Sequence, residues 1–362
     1  MSSLRNRLSL RFARQAWPDP NTDQLIKATL LPADEARACW RSWKAANDID
    51  DCTWPQFKIL ARFSGRLPQV DPECPEIPRL HGMAKALWTQ SQMRLNRSAA
   101  ALDILVEQDI PIYLMKSAAL EALEMTKLTR RVTSDIDLMV KRWDLRLVIS
   151  ALVEQGWGGN EDAETALQRC RYHPGINLQR GSEEKRDNSD VDVHHQPVHM
   201  PFLDDDVIDR IWDSAIPADF RGRAVVVPAP EELLVFTAMQ GIRRFVPSHM
   251  SSGMWAFDMA EIVDGKSLDW TRVLEVAAMC KGSWALLGCL SYLKQQLDVG
   301  IPDRILSALS DQAAGLDEAV MFYAQAPTYG LTKFINLPLR EIVLLNRQRA
   351  FAHTGHHASE TW

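Results

Sequence analysis

Asp135-Ile136-Asp137-Leu138-Met139-Val140 alternates acid with apolar residues. A period of two of this kind predicts a β-strand with both carboxylates projecting from one face. Val191-Asp192-Val193 repeats the alternation on a second predicted strand. Asp190 shares a face with Asp192 there, so a shift of two residues exchanges their roles. The chain carries two more Asp-x-Asp triplets, Asp48/Asp50 and Asp204/Asp206, which read as solvated turns. Acid-bearing strands in the middle of the chain therefore fix a sheet at its centre, and the rest must fold around them.

The rest reads as helix. From about 22 to 110 the pattern is helical, broken once by Pro68, Pro72, Pro75 and Pro78. Beyond Arg79, residues Leu80, Met83, Leu87, Leu95, Leu102 and Leu105 approximate the 3.6-residue stripe of a helix packed on a core. The texture changes at Ile110-Pro111. Residues 111–115 predict a short buried strand, 117–127 a helix, 134–140 a strand, and 143–155 a helix stopped by Gly156. Two further strands are expected over 173–179 and 190–195, joined through the polar stretch 181–189, and another over 223–227. After Pro230 helix returns until near Phe351, with breaks around 247–253, Gly265 and 300–302. The expected class is α+β: an N-terminal helical region over 1–109, a small mixed-sheet core over 110–228, and a C-terminal helical region over 229–362.

Acids at neighbouring strand positions repel. Two like charges at about 4 Å cost roughly 4 kcal/mol at an effective dielectric near 20. On this reading Asp135→Ala or Asp137→Ala relieves repulsion and leaves the metal-free protein no less stable. A divalent cation removes the penalty, and carboxylate oxygens favour Mg²⁺ or Mn²⁺ over zinc. Such a site can hold the phosphates of a nucleoside triphosphate and activate an oxygen attacking the α-phosphorus, with pyrophosphate leaving.

The ordered residues also carry a resemblance. Leu114-Met115-Lys116, Arg131 four residues before Asp135, Asp137-Leu138-Met139-Val140, Gly156-Trp157 and Val191-Asp192-Val193-His194 follow one another in the chain. The helix start Pro230-Glu231-Glu232-Leu233-Leu234 and the pair Trp255 and Asp258 come later. Together they resemble an uncharacterised bacterial nucleotidyltransferase family of the DNA polymerase β-type superfamily, over roughly residues 79–300. The resemblance implies a nucleotidyltransferase-fold core in which Asp135, Asp137 and Asp192 hold Mg²⁺ or Mn²⁺ and Asp192 deprotonates the acceptor. It places Lys116 and Ser117 at the triphosphate and Arg131 near the phosphates or the metal loop, with Arg130 an equal candidate. Ser117 stands where the family has Gly, whose backbone approaches phosphate more closely. His194 and His195 are expected to be structural. The reaction implied is transfer of a nucleoside monophosphate from an NTP to a small molecule, peptide, protein or tRNA end. Two alternatives are a catalytically silent protein of the same fold that binds nucleotide or a partner, and a toxin-type enzyme silenced by an antitoxin partner.

Charge and cysteine content set the remaining bounds. A net charge of −6 provides no global field for nucleic acid or anionic membrane. No apolar run approaches the roughly 20 residues that span a bilayer. The six cysteines form no CxxC pair and no zinc-ligand spacing, which predicts reduced thiols in a cytoplasmic protein. Arg5, Arg7, Arg11 and Arg14, with no acid among the first 17 residues, have the composition of a transit peptide. An amphipathic first helix or loose arm is the preferred reading. The 12 tryptophans are scattered and predict helix-packing anchors.

Overall fold

The computed structural model describes residues 2–125, 132–133, 135–159, 161–180, 190–243, 252–265, 267–313, 315–327 and 332–354. It is α+β, a six-stranded mixed sheet with helices before and after it in the chain. The chain divides into two compact units: residues 1–89, 126–132 and 237–341 form one, and residues 90–125, 133–236 and 342–362 the other.

The first unit is helical. It is built on α1 (Ser2–Ala13), α2 (Pro20–Leu30), α3 (Ala33–Ala46), α4 (Trp54–Ser64), the short α5 (Leu67–Val70) and the start of α6 (Ile77–Glu107). Asp19 caps α2, its Oδ1 accepting from the Asn21 and Thr22 N–H groups at 3.0 and 3.1 Å. Pro20 occupies the first helical position, where no N–H is needed. Trp40 and Trp43 stack at 5.6 Å with Phe63 5.1 Å from Trp40, so these indoles are the packing anchors their scatter suggested.

The second unit holds the sheet. Along the chain come β1 (Tyr113–Leu114), α7 (Lys116–Ala122), β2 (Ile136–Met139), α8 (Leu145–Glu154), α9 (Ala163–Cys170), β3 (Gly175–Gln179) and β4 (Asp190–His194). They are followed by α10 (Asp205–Asp213), β5 (Ile216–Phe220), β6 (Arg223–Val227) and the start of α11 (Pro230–Gly241). The order across the sheet is β3-β4-β2-β1-β6-β5. The β2/β4 and β1/β6 pairs are parallel and the others antiparallel. Leu145, Val148, Ile149 and Leu152 give α8 its buried stripe, and Gly156 follows at φ +82°, a left-handed value that ends the helix without a Cβ penalty.

The chain then returns to the helical unit through α12 (Met254–Gly265), α13 (Trp270–Met279), α14 (Ser283–Leu297), α15 (Asp303–Gln312), α16 (Leu316–Gln325) and the start of α17 (Thr332–Thr354), whose residues from 342 on belong to the sheet-bearing unit. Every residue of α14 from Ser283 to Leu293 is buried, and α1, α13, α15 and α16 pack around it. A Cβ on Gly288 would stand 2.5 Å from the Ala13 carbonyl oxygen, so only glycine admits the chain that close. Trp255 is buried in α12, in keeping with the packing role expected of the tryptophans, and Asp258 is buried in the same helix. No described helix is long and apolar enough to cross a membrane. All six cysteines are free thiols.

Candidate active site

The site is assembled by strand register. In the parallel β2/β4 pair Asp137 is the direct partner of Asp192, and Met139 of His194. Period two then puts Asp137, Asp192 and His194 on one face of the sheet. One ligand atom from each of these three residues lies within 4.8 Å of the others. Asp137 is almost fully buried, at 3% exposure, while Asp192 and His194 are half-buried. Asp135 precedes β2 rather than lying on it, and Asp190 opens β4 two residues before Asp192.

Each member of the group is held. His194 Nε2 lies 3.2 Å from Asp137 Oδ1. Asn177, the β3 partner of Asp192, donates from Nδ2 to Asp192 Oδ1 at 2.5 Å. The Met115 N–H donates to the Asp137 carbonyl at 3.0 Å, closing the end of β1 against β2. The next residue, Lys116, takes the left-handed φ of +49°, and its ammonium forms an ion pair with Asp137 Oδ1. Burial by itself would lift the Asp137 pKa, but the Lys116 charge and the His194 contact outweigh it and hold the carboxyl down at about 2. Burial opposes the Lys116 charge in the same way, and the fields of Asp137, Asp192 and Asp135 overcome it and raise the Lys116 pKa.

Ser117 is buried in the first turn of α7. The positive φ that favours glycine falls on Lys116, one residue before it. Arg131 and its alternative Arg130 lie outside the described residues. The carboxylates, Lys116 and Ser117 therefore gather within one unit, with Asp135 close enough to act on the Lys116 charge.

Helix α6 supplies support that no sequence pattern announces. Ser91 and Ser98, two turns apart, are buried on one face of it. Ser91 Oγ donates to the Thr133 carbonyl at 2.6 Å and accepts from the Thr133 N–H at 2.9 Å, fixing the chain two residues before Asp135. Ser98 Oγ accepts from the Asp190 N–H at 3.0 Å, fixing the start of β4. His194, expected to be structural, also lies beside the Asp137 and Asp192 carboxylates. Its signal was present, because period two in Asp190-Val191-Asp192-Val193-His194 puts it on the Asp192 face.

His195 points elsewhere, with Nε2 3.1 Å from the His173 carbonyl. Burial, aided by the Arg142 charge, lowers its pKa to about 4, so the ring is neutral. It borders a cleft with Lys141, Arg142, Trp143 and Asp205 that contains none of the predicted site residues. Gln196, also in that lining, is satisfied by Val198, Pro201 and Leu203 backbone groups.

Two aligned carboxylates with an imidazole beside them form a donor set for a divalent metal. Imidazole nitrogen is a ligand of transition metals more than of Mg²⁺. In comparisons with known proteins, residues 68–298 match a family described as uncharacterised nucleotidyltransferase. No curated protein and no solved structure matches the chain.

Proposed function

The match covers more than half of the residues, so the chain belongs to the uncharacterised nucleotidyltransferase family, and we propose that it is a DNA polymerase β-type enzyme moving a nucleoside monophosphate from an NTP to an acceptor. The observation that carries this reading is the register of β2 on β4, which sets Asp137 beside Asp192 with their carboxylates and His194 within 4.8 Å. Asp135, Asp137 and Asp192 are the carboxylates assigned to Mg²⁺ or Mn²⁺, and the His194 nitrogen makes Mn²⁺ the better fit. When bound, the metal polarises the phosphates and the attacking oxygen.

The chain's own residues do the rest. Lys116 offers its ammonium to the triphosphate. Asn177 holds one oxygen of Asp192, leaving the other to take the proton of the acceptor. As the acceptor oxygen bonds to the α-phosphorus, the bond to the pyrophosphate oxygen breaks. The chemistry is assigned to the core over 110–228, with 1–109 and 229–362 as the helical regions before and after it. The free thiols support a cytoplasmic protein.

Incubating the 362-residue chain with each α-labelled NTP and Mn²⁺ or Mg²⁺, in lysate and with candidate acceptors, tests the reading. Transfer of label by the parent protein and its loss in Asp137→Asn are expected. Nucleotide binding without transfer under any of these conditions would favour the silent protein.

A further inference from the structure

Asp137 Oδ1 is approached by two groups at once. His194 Nε2 stands 3.2 Å away on the same sheet face, and the Lys116 ammonium pairs with the same oxygen. The Lys116 side chain is 36% exposed and that of Asp137 3%, so the ammonium comes to a buried carboxylate from the solvent side. It is tethered by a flexible four-carbon stem. A cation held by Asp137, Asp192 and His194 would share the Asp137 carboxylate with Lys116, and two positive centres on one carboxylate repel.

We propose that Lys116 and the divalent cation exchange at Asp137: cation binding moves the ammonium off Oδ1 to the solvent side, where it meets the phosphates of the incoming nucleotide. The second half rests on the nucleotidyltransferase reading; the exchange itself does not. Lys116 is then the residue that couples the two ligands. It competes with the metal when nucleotide is absent and assists the nucleotide once metal is bound. By reciprocity, each ligand tightens the other.

Two measurements on the 362-residue chain test this. In the first, lysines of the wild type are acylated in a short pulse with no addition, with Mn²⁺, and with Mn²⁺ plus a non-hydrolysable NTP. The labelled sites are read by mass spectrometry, with Lys294, held by Asp303 at 2.6 Å, as the internal control. Labelling of Lys116 rises about fivefold or more with Mn²⁺ and falls again with nucleotide, while Lys294 is unchanged. In the second, free Mn²⁺ is followed by electron paramagnetic resonance during titration of wild type and Lys116→Met. The variant binds Mn²⁺ about tenfold tighter without nucleotide and loses part of the mutual tightening. Lys116→Gln replaces it if Lys116→Met does not fold, and the wild-type labelling decides if neither does.

Lys116 labelling unmoved by Mn²⁺, Mn²⁺ binding no tighter in the folded variant, or no Mn²⁺ bound by either protein would overturn the exchange. A Mn²⁺-driven rise that nucleotide fails to reverse would keep the exchange and remove the nucleotide reading. Nucleotide binding with Mn²⁺ but unchanged labelling would do the opposite.

Discussion

Whether the charge on Asp137 costs or contributes stability is decided by its neighbours. Read from the sequence, Asp135 and Asp137 repel and removing either is harmless. The structure adds Lys116 and His194 at one oxygen of Asp137, which reverses the sign for that residue. Lys116 is 21 residues away, and only the antiparallel pairing of β1 with β2 brings it there, so no local pattern announces the pair. The carboxyl lies at about 2 when folded against 3.8 as its ordinary value. A depressed carboxyl stabilises above pH 3.8, and the contribution is lost as pH falls through 3.8 toward 2. The shift corresponds to about 2 kcal/mol. Urea denaturation should show Asp137→Asn less stable than wild type by about 2 kcal/mol at neutral pH, with the gap closing between about pH 4 and pH 2. His195 acts in a separate window. Its ring is neutral when folded, so stability present above pH 6.5 is lost as pH falls toward 4. Ser117 yields a second reversal. The resemblance makes Ser117→Gly a relief of the backbone, yet the left-handed φ belongs to Lys116 and Ser117 is already in the helix. Ser117→Gly should therefore cost about 0.5–1 kcal/mol by thermal denaturation and give no gain in nucleotide affinity.

At the scale of the element, strands rich in apolar and β-branched residues were legible and the one built on Pro and Asp was not. The stretches Asp190–His194 and Arg223–Val227 are strands much as the sequence reads. β5 escaped notice because Pro217 and Asp219 are poor strand residues. It lies at the sheet edge, where a missing N–H is tolerated. The Asp204/Asp206 triplet, read as a turn, flanks the start of α10, with Asp204 preceding the helix and Asp205 and Asp206 in its first turn, where negative charge is favourable. The apolar stripe of α6 predicted a packed helix, and the stripe explains its burial. Its serines were illegible because a buried hydroxyl declares no partner in sequence. Ser91 satisfies both the N–H and the carbonyl of Thr133, whereas Ser98 satisfies one N–H of Asp190. Leaving such groups buried and unpaired costs about 1–3 kcal/mol. Ser91→Ala should fall in that range by urea denaturation and exceed Ser98→Ala. It should also weaken Mn²⁺ binding, because the segment it anchors leads into Asp135 and Asp137.

At the scale of the molecule, the sequence conveyed the class of fold because helical and strand periodicities occupy separate stretches of the chain. The division into units was harder to read, since the first unit joins residues 1–89 to residues 237–341 across the sheet-bearing segment of the sequence. Such long-range packing leaves little local trace; Gly288, opposite Ala13 and Ala16, is one point where it touches composition. The proposed ligands all meet side chains of the sheet-bearing unit, Lys116, Asp135, Asp137, Asp192 and His194. A ligand that binds only folded protein stabilises it by RT ln(1 + [L]/Kd), about 2.7 kcal/mol at a hundred times Kd. For a cooperative block of 150–250 residues, each kcal/mol moves Tm by about 2–4 °C. Calorimetry with Mn²⁺ and a non-hydrolysable NTP at that excess should therefore raise Tm by about 5–10 °C. EDTA should remove the rise, and Asp137→Asn, starting from its own lower Tm, should show little of it. If melting occurs in two steps, only the step that includes loss of β2 and β4, followed by hydrogen exchange, should move. An equal rise in Asp137→Asn would place the ligands away from these carboxylates and take the proposed active site with it.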